Sequence, residues 1–389
     1  MAPLPVFSIS FPTKRPRAIF LAVVGLMLAP ILVVLVSGGS RANTSRSELS
    51  AHSSLEPARV AEAYLERLSR SRQFSGAVLL AEGGHVLLSG GYGWASIAAR
   101  VPNSPATRFR IGSLTKAFTA IAILELEDAG RLRMADGVCS FVAGCPARWQ
   151  RITLQQLLTH TSGIPDYTTL PAYGRFSRHH VTPAEIVGLV RTRPLLFSPG
   201  TRWSYSNTGY VLLGMVIQRL TGNSYESFLQ RRVLAPLGLH DTSYDTNDQL
   251  LPAHATGYTV LATPAPYIDM SVPYAAGALD STVGDLYRWD LALLSGRPRL
   301  VRADLLRDMF RPWGQVDPTA PKSGAYGYGW FIDNRGAEYD HDGDINGFVS
   351  DNAVFPAKRA EIIVLSNLES SDVRSITEHL AALIGIHAA

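Results

Sequence analysis

Ser113 and Lys116, three residues apart, are the pair in this chain whose types and spacing fit nucleophilic catalysis. A serine hydroxyl is a weak nucleophile at neutral pH until a base takes its proton. On a helix beginning at Ser113, positions i and i+3 share a face, so hydroxyl and amine enter the same space. Lysine is scarce here: of 36 Lys plus Arg, only Lys14, Lys116, Lys322 and Lys358 are lysines. Arginine stays protonated in proteins, so a site that needs a neutral amine must use the rarer residue. A motif as short as S-x-x-K also arises by chance and gains weight only from partners. Tyr205-Ser206-Asn207, in the polar stretch TRWSYSNTG, is one candidate partner. A tyrosine beside a lysine shares protons, and an asparagine amide holds a substrate carbonyl; the plain alternative is a packed tyrosine next to a capping asparagine. His341-Asp342-Gly343 is another, with a histidine as donor or charge and a glycine that lets backbone N–H groups approach a ligand.

These residues need elements to hold them. Leu114, Ala117, Phe118, Ile121 and Leu124 recur at helical spacing after Gly112, and Gly130 supplies a stop. Residues 117–124 are apolar almost all round, Thr119 excepted, which predicts a buried helix and a desolvated lysine of lowered pKa. Residues 55–70 read as an amphipathic helix with Val60, Ala63, Tyr64 and Leu68 on one side. Gly76–Ala81 and His85–Leu88, broken by Glu82-Gly83-Gly84, read as a β-hairpin. Helical patterns follow over Leu154–His160, Pro183–Arg191, Gly209–Leu220, Tyr225–Leu234 and Val283–Leu294. The chain then returns to strand at Tyr328–Ile332, Phe348–Phe355 and Ile362–Leu365, and closes with a helix over Val373–Leu383. The economical architecture is α+β: an antiparallel sheet formed by the two ends of the body and flanked by helices, with a mainly helical lobe inserted over about residues 131–270. A cleft between sheet and lobe is the natural place for a site.

The 389 residues are 46% hydrophobic and 17% charged, a globular composition with length for a large core. Lys14, Arg15, Arg17, Arg41 and Arg46 against Glu48 account for the whole net charge of +4, so residues 51–389 are formally neutral. The basic pI is therefore no argument for nucleic acid, and no basic, aromatic-interleaved patch supports one. Residues 18–36 are uncharged and long enough to cross a bilayer, and follow a basic segment, 1–17. The positive-inside rule leaves 1–17 in the cytosol and carries the rest across, with 37–54 as a tether and 55–389 as the folded domain. A secreted protein after signal cleavage near Ser37–Ala42 is the alternative. In such a compartment Cys139 and Cys145 have two readings, a short disulfide loop or two small buried residues.

S-x-x-K, then Y-x-N roughly ninety residues later, then H-x-G in place of K-T-G towards the C-terminus, resembles the serine β-lactamase and penicillin-binding-protein superfamily. Within it the chain is most similar to the class C β-lactamase-like branch, with its D-alanyl-D-alanine carboxypeptidase and esterase relatives. LLTHTSGIPDY (Leu157–Tyr167), FSPG (Phe197–Gly200), YSNTGYVLLG (Tyr205–Gly214), PLGLHDT (Pro236–Thr242) and YGYGW (Tyr326–Trp330) agree, so the resemblance spans about Phe74 to Asn367. It implies the β-lactamase/transpeptidase-like fold and a cofactor-free serine hydrolase. Ser113 would form an acyl-enzyme, Lys116 take its proton, and Tyr205 act as a second base. Asn207, His341 and Gly343 would bind substrate, and the backbone N–H groups of Ser113 and Asp344 would form the oxyanion hole. His341-Asp342-Gly343 is the departure that matters. A permanent lysine charge suits a β-lactam carboxylate, whereas histidine is mostly neutral at pH 7 and Asp342 and Asp344 add negative charge. The expected substrate is thus an ester or a D-amino-acid amide or peptide, with β-lactams cleaved weakly.

Two other classes compete. A penicillin-binding sensor or wall-binding module would acylate with little turnover. Calcium binding is suggested by Asp342-Gly343-Asp344-Ile345-Asn346-Gly347, the opening of an EF-hand loop, but Ala353 stands where the bidentate glutamate is needed. No metal site is expected, and His179-His180 reads as a solvated loop. His160 reads as structural, Asp166, Tyr167 and Gly277 as the rim of the cleft, and Asp285 and Trp289 as structural residues on one helical face.

Overall fold

Two glycines in the left-handed region, Gly83 and Gly84, turn the first hairpin, and the sheet grows from it. The computed structural model describes residues 44–247, 253–260, 262–316 and 324–387. The elements that position the site, in chain order, are α1 (Thr44–Arg70), β1 (Gly76–Glu82), β2 (His85–Tyr92), α2 (Thr115–Asp128), α3 (Asn207–Thr221), α4 (Val283–Ser295), β3 (Gly314–Gln315), β4 (Gly324–Tyr326), β5 (Phe331–Asp333), β6 (Tyr339–Ile345), β7 (Phe348–Phe355), β8 (Ala360–Ser366) and α5 (Val373–Leu383). They build an antiparallel sheet in the order β3-β4-β5-β6-β7-β8-β1-β2, in which Gly76 to Glu82 pair with Ser366 to Ala360 and so join the two ends of the body. The α+β architecture expected from the sequence is the one found.

Both faces of this sheet are covered. Along β1, Ala77, Leu79 and Ala81 enter the larger core beneath the helical lobe, while Val78 and Leu80 enter a second core under α1 and α5. In β8 the same division sends Ile363 and Leu365 one way and Ile362 and Val364 the other. Burial on both sides explains why these strands read as continuous apolar runs rather than as alternating ones. The central helix α2 is buried from Thr115 to Leu126, as its all-round apolarity requires.

Three readings shift. In α1 the buried residues are Ala61 and Leu65, with Tyr64 and Leu68 half-covered, while Val60 is 41% exposed. The buried stripe is thus rotated to Ala61 and Leu65, and Val60 and Ala63, expected on the buried side, are exposed. Helix α1 begins at Thr44, so residues 44–54, expected as tether, are helical. The strand expected over Tyr328–Ile332 runs instead over Phe331–Asp333, because Gly329 adopts φ +80° and packs its backbone against the start of α2. The expected segments 1–17 and 18–36 lie outside the described residues. Among the described residues no helix is long and apolar enough to cross a membrane. Cys139 and Cys145 are joined in a disulfide, which resolves the two readings of that pair.

Candidate active site

The nucleophile candidate sits at a junction of α2, β6 and a small three-stranded sheet. That sheet pairs Phe109–Arg110 and Ser243–Tyr244 with Leu279–Ser281, and Ile111 N–H continues it by donating to the Leu279 carbonyl at 3.0 Å. Gly112 then adopts φ +50° and opens a 3₁₀ turn, Gly112–Leu114, that runs into α2. A glycine is needed there twice over: a Cβ on Gly112 would lie 2.9 Å from the Asp344 nitrogen. Gly343 answers it from the other side, since a Cβ there would sit 2.1 Å from the Ile111 carbonyl oxygen. The paired glycines bring the β6 backbone against the turn that carries Ser113.

Around Ser113 the predicted residues converge. Lys116, fully buried, donates from Nζ to Ser113 Oγ at 2.9 Å, to Asn207 Oδ1 at 2.8 Å and to the Ala276 carbonyl at 2.8 Å. Tyr205 donates its hydroxyl to the same Ser113 Oγ at 2.8 Å, and its ring lies 4.8 Å from the lysine ammonium. Burial pushes the Lys116 ammonium down to about 7, although Asp166 and Asp342 push it up. Burial pushes the Tyr205 phenol well above its usual range, so it keeps its proton at neutral pH. Of the two candidate bases, the lysine is the one poised to lose a proton.

Asp166 does more than shape the rim. Its Oδ2 accepts from Asn207 Nδ2 at 3.0 Å and from Thr168 Oγ1 at 2.9 Å, while Oδ1 accepts from Thr168 N–H at 3.1 Å. This fixes the asparagine amide with its oxygen towards Lys116 and leaves one Nδ2 proton for another acceptor. His160, in the left-handed region at φ +58°, pins the Tyr205 loop: its carbonyl accepts from Ser204 N–H at 2.9 Å and its Nδ1 from Ser206 N–H at 3.1 Å. Burial, with Lys116 and His341 nearby, holds its ring well below the usual histidine range, so it stays neutral. Its ring packs tilted against that of Tyr205, centroids 4.3 Å apart, while the hydrogen bonds to Ser113 Oγ come from Lys116 and Tyr205, in line with a structural role.

His341 differs from the lysine it replaces in the motif. The residue is 2% exposed; Nδ1 donates to the Asp342 carbonyl at 2.6 Å, and in the neutral ring Nε2 accepts from the Tyr326 hydroxyl at 2.9 Å. It lines the cleft as a wall, with both nitrogens turned to the protein. The cleft itself holds about 550 Å³ and is lined by Ser113, Tyr205, Asn207, His341, Asp342 and Asp344 among others, with Tyr167 and Gly277 also at its surface. A second cavity, about 590 Å³ between β5 and α5, contains none of Ser113, Tyr205, Asn207, His341, Asp342 and Asp344. Asp285 is buried in the first turn of α4, where its N–H donates to the capping Thr282 Oγ1 and its carboxylate accepts from Asp241 N–H and Thr242 Oγ1, and Trp289 stacks on Phe118 at 3.9 Å, so both are structural. Asp342–Gly347 forms the end of β6 and the turn into β7, a hairpin and not a helix-flanked loop.

Comparison with known proteins agrees with this geometry. Residues 60–385 match the family described as Beta-lactamase. Penicillin-binding protein 4* of Bacillus subtilis (strain 168) is 31% identical over 326 residues, covering 78% of this chain and 70% of that protein. The octameric penicillin-binding protein homologue from Pyrococcus abyssi superposes with a TM-score of 0.74 at 28% identity, over 84% of this chain and 77% of that one. The D-amino acid amidase from Ochrobactrum anthropi SV3, solved with D-phenylalanine, does so with 0.72 at 25% identity, over 85% and 99%. With a serine, a buried lysine and a tyrosine joined at one oxygen, and the match running through almost the whole folded body, the chain belongs to the beta-lactamase family.

Proposed function

We propose that this protein hydrolyses an ester or a D-amino-acid amide through an acyl-enzyme on Ser113. The observation that carries the reading is the Ser113 oxygen held at once by Lys116 Nζ at 2.9 Å and Tyr205 OH at 2.8 Å, with the lysine fully buried. In the neutral-amine form Lys116 takes the Ser113 proton as Oγ bonds to the substrate carbonyl carbon. The backbone N–H groups of Ser113 and Asp344 face the developing oxyanion; such donors contribute about 3 kcal/mol each. The proton passes from Lys116, directly or through the Tyr205 hydroxyl, to the departing alcohol or amine. Water then cleaves the acyl ester with Lys116 again taking a proton, and Asn207 orients the substrate with its remaining amide proton. No cofactor enters these steps.

The Cys139–Cys145 disulfide supports a catalytic domain on the extracytoplasmic side, since disulfides persist in oxidising compartments. The uncharged segment 18–36 would anchor the chain in the membrane or be removed on secretion. The test is turnover of a p-nitrophenyl ester and of D-phenylalanine amide by the native chain and Ser113→Ala. The reading predicts a loss of about 1,000-fold or more in the variant. Equal turnover by the two proteins would refute it, and a stable adduct on Ser113 without turnover would select the penicillin-binding sensor instead.

A further inference from the structure

Two carbonyl oxygens decide where the lone pair of Lys116 points. In the ammonium form Nζ gives one proton each to Ser113 Oγ, Asn207 Oδ1 and the Ala276 carbonyl. The neutral amine that acts as base has only two protons, and a carbonyl oxygen can only accept. With both carbonyl oxygens held in place they take those two protons, and the lone pair is left facing Ser113. Asp166 fixes the Asn207 oxygen. The Ala276 carbonyl needs an anchor of its own. It sits in a short helical turn, Tyr274–Gly277, whose first residue has φ +42°, a left-handed conformation uncommon for a tyrosine.

That anchor comes from α2 itself. Thr115 Oγ1 accepts from Leu279 N–H at 3.2 Å, Lys116 reaches Ala276, and Thr119 Oγ1 donates to the Ala275 carbonyl at 2.7 Å, so three side chains of the helix grip the segment 275–279. Thr119 is the residue that interrupts the apolar run 117–124, and it is fully buried. Its single proton goes to Ala275, so the Tyr225 hydroxyl, 2.6 Å away and equally buried, donates to Thr119 and sets the direction of that proton. Resting on the serine-hydrolase reading above, we infer that Thr119 and Tyr225 are positioning residues for Lys116: through Ala275 they hold the Ala276 carbonyl where it takes one proton of the neutral amine and so turns the lone pair to Ser113.

The test is the pH–rate profile for a p-nitrophenyl ester of the full native chain, Thr119→Val, Thr119→Ser and Tyr225→Phe. Thr119→Val keeps the shape of the side chain but removes the donor, so the Ala276 carbonyl is no longer held against Nζ. Its kcat should fall about tenfold or more with KM within about twofold of native, since the lost contact acts in proton transfer and not in substrate binding. An acceptor withdrawn from the ammonium favours the neutral amine, so the acid limb of kcat/KM should also move to lower pH, by roughly half a unit. Thr119→Ser should restore both. Tyr225→Phe should show a smaller change in the same direction, because the Thr119 proton is then free to turn to the Thr115 carbonyl at 3.4 Å. Native kcat in Thr119→Val, or a loss that Thr119→Ser shares or that leaves the acid limb unmoved, would overturn the inference. If Thr119→Val does not fold, Tyr225→Phe is read in its place, and a native kcat and acid limb there would overturn it equally. Hydrolysis that is lost in Ser113→Ala but unchanged in these variants sinks the positioning inference alone. Hydrolysis that survives in Ser113→Ala sinks the serine-hydrolase reading and the inference with it.

Discussion

Lys116 is held between opposing demands. Burial in α2 favours the neutral amine, Asp166 and Asp342 favour the ammonium, and the balance falls at about 7. A general base works only when deprotonated, so kcat/KM should rise with pH and level off above an apparent pKa near 7. Lys116→Arg should lose at least about 100-fold at every pH, because a guanidinium cannot give up its proton. Asp166→Asn keeps an oxygen to accept from Asn207 but removes the charge that raises the lysine. Its acid limb should therefore move to lower pH, by roughly half a unit. A pH–rate profile of the three proteins checks this, and an unmoved limb in Asp166→Asn would remove Asp166 from the electrostatic account. Ser113, Lys116, Tyr205 and Asn207 were legible in the sequence because each motif combines a chemically apt residue with a fixed local spacing. The grip of Asp166 on Asn207 was not, since it joins residues 41 apart that no local pattern links. Nor was the engagement of His341, which depends on a tyrosine 15 residues upstream.

At the scale of elements, the small sheet beneath the site matters as much as the helix that carries the lysine. Asp280, fully buried, accepts from Arg108 Nε at 2.7 Å and from Ser243 Oγ at 2.7 Å, with His254 Nε2 at 2.8 Å. It thereby ties together the three strands from which Gly112 and Ser113 emerge. Removing one partner of a buried ion pair leaves the other charge uncompensated. Asp280→Ala should cost about 3–5 kcal/mol in chemical unfolding and reduce turnover through a misplaced Ser113. A loss below 1 kcal/mol would mean the cluster does not hold the turn. Helices were largely readable: Pro183–Arg191 carries its own signature, a Thr182–Glu185 capping box with proline in the first turn. Strand β6 was harder. Its sequence YDHDGDI has three aspartates and poor strand propensity, and pairing with Phe331–Ile332 on one side and Phe348–Phe355 on the other, with contact with the nucleophile turn, makes it extended.

Over the whole molecule, the chain closes a sheet from its two ends and lays a helical lobe against it, and the cleft forms where that lobe meets the β6 edge. The plan could be read because strand patterns cluster at both ends of the body and helical ones between. The rotation of α1 and the course of residues 327–330 could not, because packing against distant elements decides them. All parts of the site, from α2, the Tyr205 loop and β6, serve one central claim, that Ser113 is acylated in turnover. Intact-mass measurement of the full chain mixed with a slowly hydrolysed p-nitrophenyl ester, with peptide mapping of the product, tests it most directly. The account predicts a transient mass increase equal to the acyl group, mapped to the peptide containing Ser113, decaying as product accumulates and absent from Ser113→Ala. Ester turnover without any adduct, or an adduct that persists in Ser113→Ala, would contradict it.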